Sequence, residues 1–533
     1  MELFRSYVVL LAILGTTFAN KLTSVVVLGN GAVQGSLRDE NGILAFKGIP
    51  FAEPPVGNLR WRPPYPAPPW KGIRNGTEFG STCVSALEGA PVTSPQNEDC
   101  LTVNVWTGAS QQDEKLPVMV WIYGGGFQYG SSADPMYSGE ILAQENVIVV
   151  SFNYRLGVLG FLALAELDLE GPPSGNFGLQ DQVAALKWVQ DNISAFGGDP
   201  NNVTVFGESA GSHAIGILMT SPLAQGLFHK AILQSGAFWD TNHGSLSEFS
   251  ETRQKGLTLL KNLNVSSLRE LRALPAQVVN SVALWDTNFD PAASAFSPNI
   301  DGYVVPINPA QAFDEGRQMK IPILIGWNEE EQYPFRPFAL PHRSAVEFRY
   351  AAESYFVAAA RKFFSLYPAV TDDQANISAD ALIGDLVIRQ QTWEAADSHS
   401  QIRTLPVYVY YFTYVSAYSP IASHGADLVF TLGSLVPNQI VPSAPPPDGQ
   451  DKLFSKKLRA YWTNFAKHGD PNDERAGLPF WPTYVGQEHI LELGNNISTI
   501  EYPLHRFRFL KSLRTNGVLP RRWKQFNDSV ATE

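Results

Sequence analysis

Cysteine is almost missing from this chain: its 533 residues hold only Cys83 and Cys100. That scarcity excludes a disulfide-dense mini-scaffold and any cysteine-rich zinc or iron–sulfur centre. Charge is also sparse, at 17% of residues against roughly 25% in ordinary soluble proteins. Positive charge is the scarcer sign, with 39 Lys+Arg against 51 Asp+Glu and a net charge of −12. This balance argues against a nucleic-acid partner, whose phosphates need a basic surface. Beyond the first residues, no apolar run reaches the about 20 residues that a bilayer span requires. There is no H-E-x-x-H and no Walker loop, so neither a metal nor a cofactor is expected.

What is present is apolar residue, 44% of the chain, enough to bury a large core and to exclude a mainly disordered protein. Length divided by about 150 suggests three or four domains. No internal repeat or low-complexity linker marks a division, however, and the Pro-rich stretches at 63–69 and 442–447 are short enough to be loops.

The N-terminus reads as an export signal. Arg5 precedes an apolar run from Tyr7 to Leu14, and Thr17-Phe18-Ala19 places small residues at a cleavage position. The run is too short to span a bilayer of about 30 Å, so residues 1–19 are expected to be a cleaved signal peptide. A secreted, extracellular protein is the expectation. Seven Asn-x-Ser/Thr sequons agree with it, at Asn75, Asn192, Asn202, Asn264, Asn376, Asn496 and Asn527. Asn192 and Asn202 lie near segments expected to be partly buried, so not all seven are expected to carry glycan. In an oxidising compartment Cys83 and Cys100 are expected to pair. The C-terminal residues, with Arg521, Arg522 and Lys524, read as neither a lipid-anchor tail nor a retention signal.

Val118 to Tyr123 and Val147 to Phe152 read as strands buried on both faces, because they lack polar alternation. Val183, Leu186 and Val189 sit at helical spacing within 181–191. A turn-rich stretch at 196–202 and a β-branched strand, Val203 to Phe206, come next. Ala231 to Gln234 and Ile321 to Gly326 read as further strands. Strands alternating with helices predict one mainly parallel sheet covered on both faces.

The strand at 203–206 runs into Gly207-Glu208-Ser209-Ala210-Gly211, a G-x-S-x-G pentapeptide. Such a serine sits on a tight strand-to-helix turn, and the flanking glycines let neighbouring backbone pass without a Cβ clash. Its hydroxyl stands at the carboxyl end of the sheet, close to a helix N-terminus that favours a developing negative charge. Upstream, the strand Trp121-Ile122-Tyr123 enters Gly124-Gly125-Gly126-Phe127, a loop whose N–H groups no side chain shields.

With these motifs in place, the chain resembles the type-B carboxylesterase/lipase family, the cholinesterase-like branch of the α/β hydrolases. Residues 196–211 match that family's active-serine signature throughout, and Glu98-Asp99-Cys100-Leu101-Thr102-Val103-Asn104-Val105 matches a second one. Phe46-Lys47-Gly48-Ile49-Pro50, Pro54-Pro55-Val56-Gly57, Asn464-Phe465-Ala466 and Gly469-Asp470-Pro471-Asn472 extend the resemblance over about residues 24 to 510. It implies an α/β-hydrolase fold, a large mostly parallel twisted sheet covered by helices, formed here by a single domain at 20–533. It also implies a serine carboxylic ester hydrolase whose partner is a small-molecule ester, in a chain that is a monomer or weak homo-oligomer.

A serine nucleophile needs a base to take its proton and an acid to orient that base. Among nine histidines, His424 stands in Ser423-His424-Gly425-Ala426-Asp427-Leu428, which is similar to the family's H-G-x-E/D-L segment around the catalytic histidine. His468 is also late in the chain but precedes the Gly-Asp-Pro-Asn turn, a position without catalytic role in the family. For the acid, the family pattern of a glycine, four residues and a glutamate selects Glu331, counted from Gly326. Gln332 stands where the family usually has a small residue, which keeps Glu330 as the alternative register. The resemblance further implies an oxyanion hole built from Gly125, Gly126 and Ala210. Arg60 with Glu98, and Arg155 with Asp181, are similar to the family's buried ion pairs.

The substrate is less legible. In the family, the disulfide loop is a flap over the gorge, and lid-bearing lipases have a much longer apolar one. Here it spans residues 84–99 and carries no aromatic. A lidless esterase is therefore expected, and choline esters are not, since no tryptophan offers a cation–π platform there. Phe238 and Trp239, with Tyr333, Phe335 and Phe338, are candidates for an apolar acyl pocket. Three alternatives stand beside the esterase. One is a lipase acting on longer-chain acylglycerols or sterol esters, and another is an acyltransferase. The third, from a different class, is a non-catalytic adhesion or scaffold protein, which the intact triad candidates disfavour.

Overall fold

The computed structural model describes residues 21–85, 94–238, 246–282, 296–338, 344–437, 441–473, 477–486 and 488–516. The expected signal peptide, Trp239, Asn527 and residues 86–93 of the flap lie outside them.

A ten-stranded sheet organises the chain. Its strands are β1 (Leu44–Pro50), β2 (Thr102–Thr107), β3 (Leu116–Ile122), β4 (Ile148–Phe152), β5 (Gly198–Glu208), β6 (Lys230–Gln234), β7 (Ile323–Asn328), β8 (Val407–Phe412), β9 (His489–Leu493) and β10 (Ile497–Glu501). Their order across the sheet is β10-β9-β8-β7-β6-β5-β3-β4-β2-β1. Pairing is parallel from β4 to β9 and antiparallel at both edges. The central strands are apolar throughout because helices cover both faces: every residue of β4, β6 and β7 is buried. The alternating strands and helices predict this mainly parallel sheet, and with its helices the chain has the α/β-hydrolase fold that the family resemblance implies.

One stretch departs from the sequence expectation. Residues 198–202 are not a turn but the start of β5, because Gly198 pairs with Leu116 of β3 across a local irregularity. Helix α1 (Phe177–Asn192) starts four residues before the helical spacing becomes visible and packs on β5.

Most buried apolar residues form one cluster around the sheet. A second cluster, with the rings of Phe348, Phe356, Phe363 and Tyr367 packed together, joins the helices of 345–384 to Phe509 and Leu510 on the late helix His505–Thr515. Helix α2 (Ala210–Leu218) begins directly after β5 and is buried at every position. Its Gly216 lies so close to the chain after β6 that a Cβ would fall 1.4 Å from the Ala237 carbonyl oxygen. Among the described residues, no helix is long and apolar enough to cross a membrane.

Candidate active site

The β5–α2 turn carries Ser209 in a conformation that side-chain-bearing residues seldom adopt, with φ 54° and ψ −124°. Such backbone strain costs of order 1–3 kcal/mol and persists only where the surroundings over-determine it. The surroundings here are specific. The Ser209 N–H donates to the Gln234 carbonyl of β6, and its carbonyl accepts from the His213 N–H at 2.9 Å. Both motif glycines are sterically required. A Cβ on Gly211 would meet the Ile122 carbonyl oxygen at 1.9 Å, and one on Gly207 would meet the same atom at 2.6 Å.

The glycine loop lies directly against this turn. A Cβ on Gly124 would come within 2.7 Å of the Glu208 carbonyl oxygen and 3.0 Å of Ser209 Cβ. Gly125 and Gly126 adopt positive φ, 97° and 61°. Gln128 holds their carbonyls: its N–H donates to Gly125 O, and its side-chain amide donates to Gly126 O. Ala210 is the first residue of α2, so its N–H has no acceptor within the helix. Of the three residues expected to supply oxyanion donors, Ala210 directly follows Ser209, and Gly125 and Gly126 follow the glycine packed against it.

Beyond β7 the chain turns through the three glutamates. Glu331 is fully buried, and its Oε2 lies 2.5 Å from His424 Nδ1. The Asn328 N–H donates to the other carboxylate oxygen at 2.7 Å. Glu330 faces elsewhere, with its carboxylate accepting from the Gln332 side-chain amide at 2.5 Å. Gln332 fits where a small residue is usual because Gly384 leaves room; a Cβ there would lie 3.0 Å from Gln332 Oε1. The acid nearest His424 is therefore Glu331 and not Glu330.

His424 follows β8 and precedes the short helix Leu428–Thr431. Its Nε2 lies 3.1 Å from Oε1 of Glu208, the residue just before Ser209. Burial pushes the imidazolium down, but the Glu208 and Glu331 carboxylates outweigh it and hold the His424 pKa up, at about 9. Burial likewise raises Glu208, to about 7, opposed by the His424 charge and aided by Asp427 and Glu331. Phe335, half-buried, covers the imidazole with ring centroids 5.2 Å apart.

The candidate pocket aromatics separate. Phe238 is fully buried, and its ring packs against Phe313. Trp239 lies outside the described residues. Arg60 pairs bidentately with Glu98, both contacts at 2.6 Å, and Arg155 does so with Asp181 at 2.8 and 2.7 Å. Cys83 and Cys100 form a disulfide.

Sequence reasoning missed a buried polar group beneath the site, made of Gln234, Asn328, Tyr410 and Asp427. Asp427 accepts from Gln234 and Tyr410 on one oxygen and from Asn328 on the other. Asp427 stands three residues after His424 in the H-G-x-D-L run, and that spacing is a signal that could have found it. Nothing in the local sequence distinguishes Asn328.

This elbow, glycine loop and Glu–His pair sit on the sheet order described above. Residues 22–509 match the profile of the carboxylesterase family. This chain belongs to the carboxylesterase family. It is 37% identical over 480 residues to a fumonisin B1 esterase of Sphingopyxis macrogoltabida, covering 89% of this chain and 86% of that one. It is 36% identical to a para-nitrobenzyl esterase of Bacillus subtilis strain 168, covering 86% and 92%. A solved PNB esterase structure superposes with a TM-score of 0.77 at 33% identity, covering 92% of this chain and 99% of that one. This carboxylesterase is thus a member of an enzyme family of serine carboxylic ester hydrolases.

Proposed function

We propose that this carboxylesterase cleaves small soluble carboxylic esters through an acyl-enzyme on Ser209, with His424 as the base and Glu331 as the orienting acid. The observation that carries the reading is the 2.5 Å contact between Glu331 Oε2 and His424 Nδ1 beside the strained Ser209 turn. With Nδ1 held by the carboxylate, Nε2 faces the elbow and takes the Ser209 proton as Oγ attacks the ester carbonyl. The tetrahedral oxyanion is received by the N–H groups of Gly125, Gly126 and Ala210. His424 then protonates the leaving alcohol, and water attacks the acyl carbonyl to release the acid and regenerate Ser209.

Export to an oxidising compartment is part of the same proposal. The Cys83–Cys100 disulfide supports it, and the sequons at Asn75, Asn264 and Asn496 are on exposed residues. Asn202 is a poor acceptor: its side-chain amide donates to the Lys467 carbonyl, and its oxygen accepts from Lys230.

The relatives' names span fumonisin and para-nitrobenzyl esters, so a screen should vary both acyl and alcohol groups. The test of mechanism is Ser209→Ala against short p-nitrophenyl esters; hydrolysis at the wild-type rate would overturn it. The short, aromatic-free flap favours an esterase over a lipase. A sharp rise in activity above a triglyceride's solubility limit would reverse that preference.

A further inference from the structure

The acid and base of the proposed site come from loops about ninety residues apart in sequence, and the molecule must hold them in register. Two contacts join the loops directly. The Glu330 N–H donates to the Ala422 carbonyl at 2.9 Å. The Asn328 side-chain amide donates to the carbonyl of Ser423, the residue before His424, at 2.7 Å. The same amide nitrogen reaches Asp427 Oδ1 at 3.1 Å, while the Asn328 backbone N–H holds Glu331 Oε1. Asn328 is completely buried.

We infer that Asn328 is a positioning residue that sets the acid Glu331 against the base His424. The inference rests on the triad reading above and extends it to a residue that touches no substrate.

The chemistry of the pocket dictates an amide at this position. Both groups facing the Asn328 side-chain nitrogen, a carbonyl and a carboxylate, only accept hydrogen bonds, so a side chain with two donors on one atom satisfies both. An aspartate of the same shape would set its carboxylate against the Asp427 carboxylate and the Ser423 carbonyl. An apolar residue would leave a buried carbonyl and carboxylate oxygen short of a donor. Asp427 is itself fixed, since its second oxygen accepts from Gln234 Nε2 at 2.7 Å and Tyr410 OH at 3.0 Å. The Gln234 carbonyl in turn accepts from the Ser209 N–H. Asn328 is thus the last link of a buried chain running from the nucleophile's turn to the acid and the base.

The experiment compares Asn328→Asp and Asn328→Ala with wild type and Ser209→Ala, using the full chain and a short p-nitrophenyl ester. A fluorophosphonate that labels Ser209 counts the folded sites, so even a small folded fraction of a variant reports its own kcat. The expected result is a fall in kcat per labelled site of about 100-fold, the cost of displacing a catalytic group by about 1 Å. KM should be nearly unchanged. In Asn328→Asp the added carboxylate should also move the midpoint of the pH–kcat/KM profile upward, which lost stability alone would not do. Asn328→Ser, retaining one donor, should recover part of the kcat. Wild-type kcat per labelled site with a wild-type pH midpoint would overturn the inference while leaving the triad intact. An active Ser209→Ala would instead overturn the triad reading.

Discussion

Glu208 offers the sharpest test of the site's electrostatics, because its Oε1 lies 3.1 Å from the nitrogen of His424 that must stay unprotonated to act as a base. Replacing it by glutamine removes the charge and keeps the shape. At that distance two unit charges interact by about 1 kcal/mol in bulk water and about 5 kcal/mol at an effective dielectric constant of about 20. Those limits correspond to about one to four pKa units. Burial raises Glu208 itself only to about 7, so it is ionised at the pH where His424 titrates and the whole range applies. A carboxylate stabilises the imidazolium, and its removal therefore lowers the His424 pKa from about 9. The rising limb of the pH–kcat/KM profile, which reports the free enzyme, should move down by about one to four units in Glu208→Gln. A pH-stat assay with an ester whose alcohol does not titrate measures this without a chromophore correction. A midpoint that stays in place or moves up would refute the reasoning.

Three further outcomes follow from the packing. Gly124→Ala should lower kcat by about 100-fold or more, because its Cβ would press on the Glu208 carbonyl and Ser209 Cβ at 2.7 and 3.0 Å; kcat per labelled serine measures it, and a wild-type value would show that the loop can yield. Replacing Cys83 and Cys100 together by serine should lower stability by about 3 kcal/mol in the chain-entropy account of a short closed loop, read from denaturant unfolding. Asp181→Ala leaves the Arg155 guanidinium buried without its carboxylate and should cost about 3–5 kcal/mol in the same assay.

Much of the site was legible because its chemistry is local in sequence. The G-x-S-x-G turn needs glycines at fixed offsets from one serine, and the structure puts the Ile122 carbonyl at the place where either Cβ would go. The central strands were legible because burial on both faces removes polar alternation. The start of β5 was not, since residues 198–202 look like a turn and join the strand only through the pairing of Gly198 with Leu116 of β3, ahead of a local irregularity. Phe238 shows the opposite limit: an aromatic near a catalytic motif can line a pocket or join the core, and its neighbour Phe313 is 75 residues away.

By itself the sequence determined the elbow, the glycine loop and the family resemblance, and the resemblance supplied the candidate base and a register for the acid. Only the tertiary structure decided which glutamate meets His424, because Glu330 and Glu331 differ by one position on a turn and face opposite partners. It also brought Glu208 to His424 Nε2 and set Asn328 and Asp427 beneath the pair. Those contacts join β6, β7 and β8 with the loop that follows β8, and a buried hydrogen bond between distant segments leaves no periodicity or spacing in the chain that makes it.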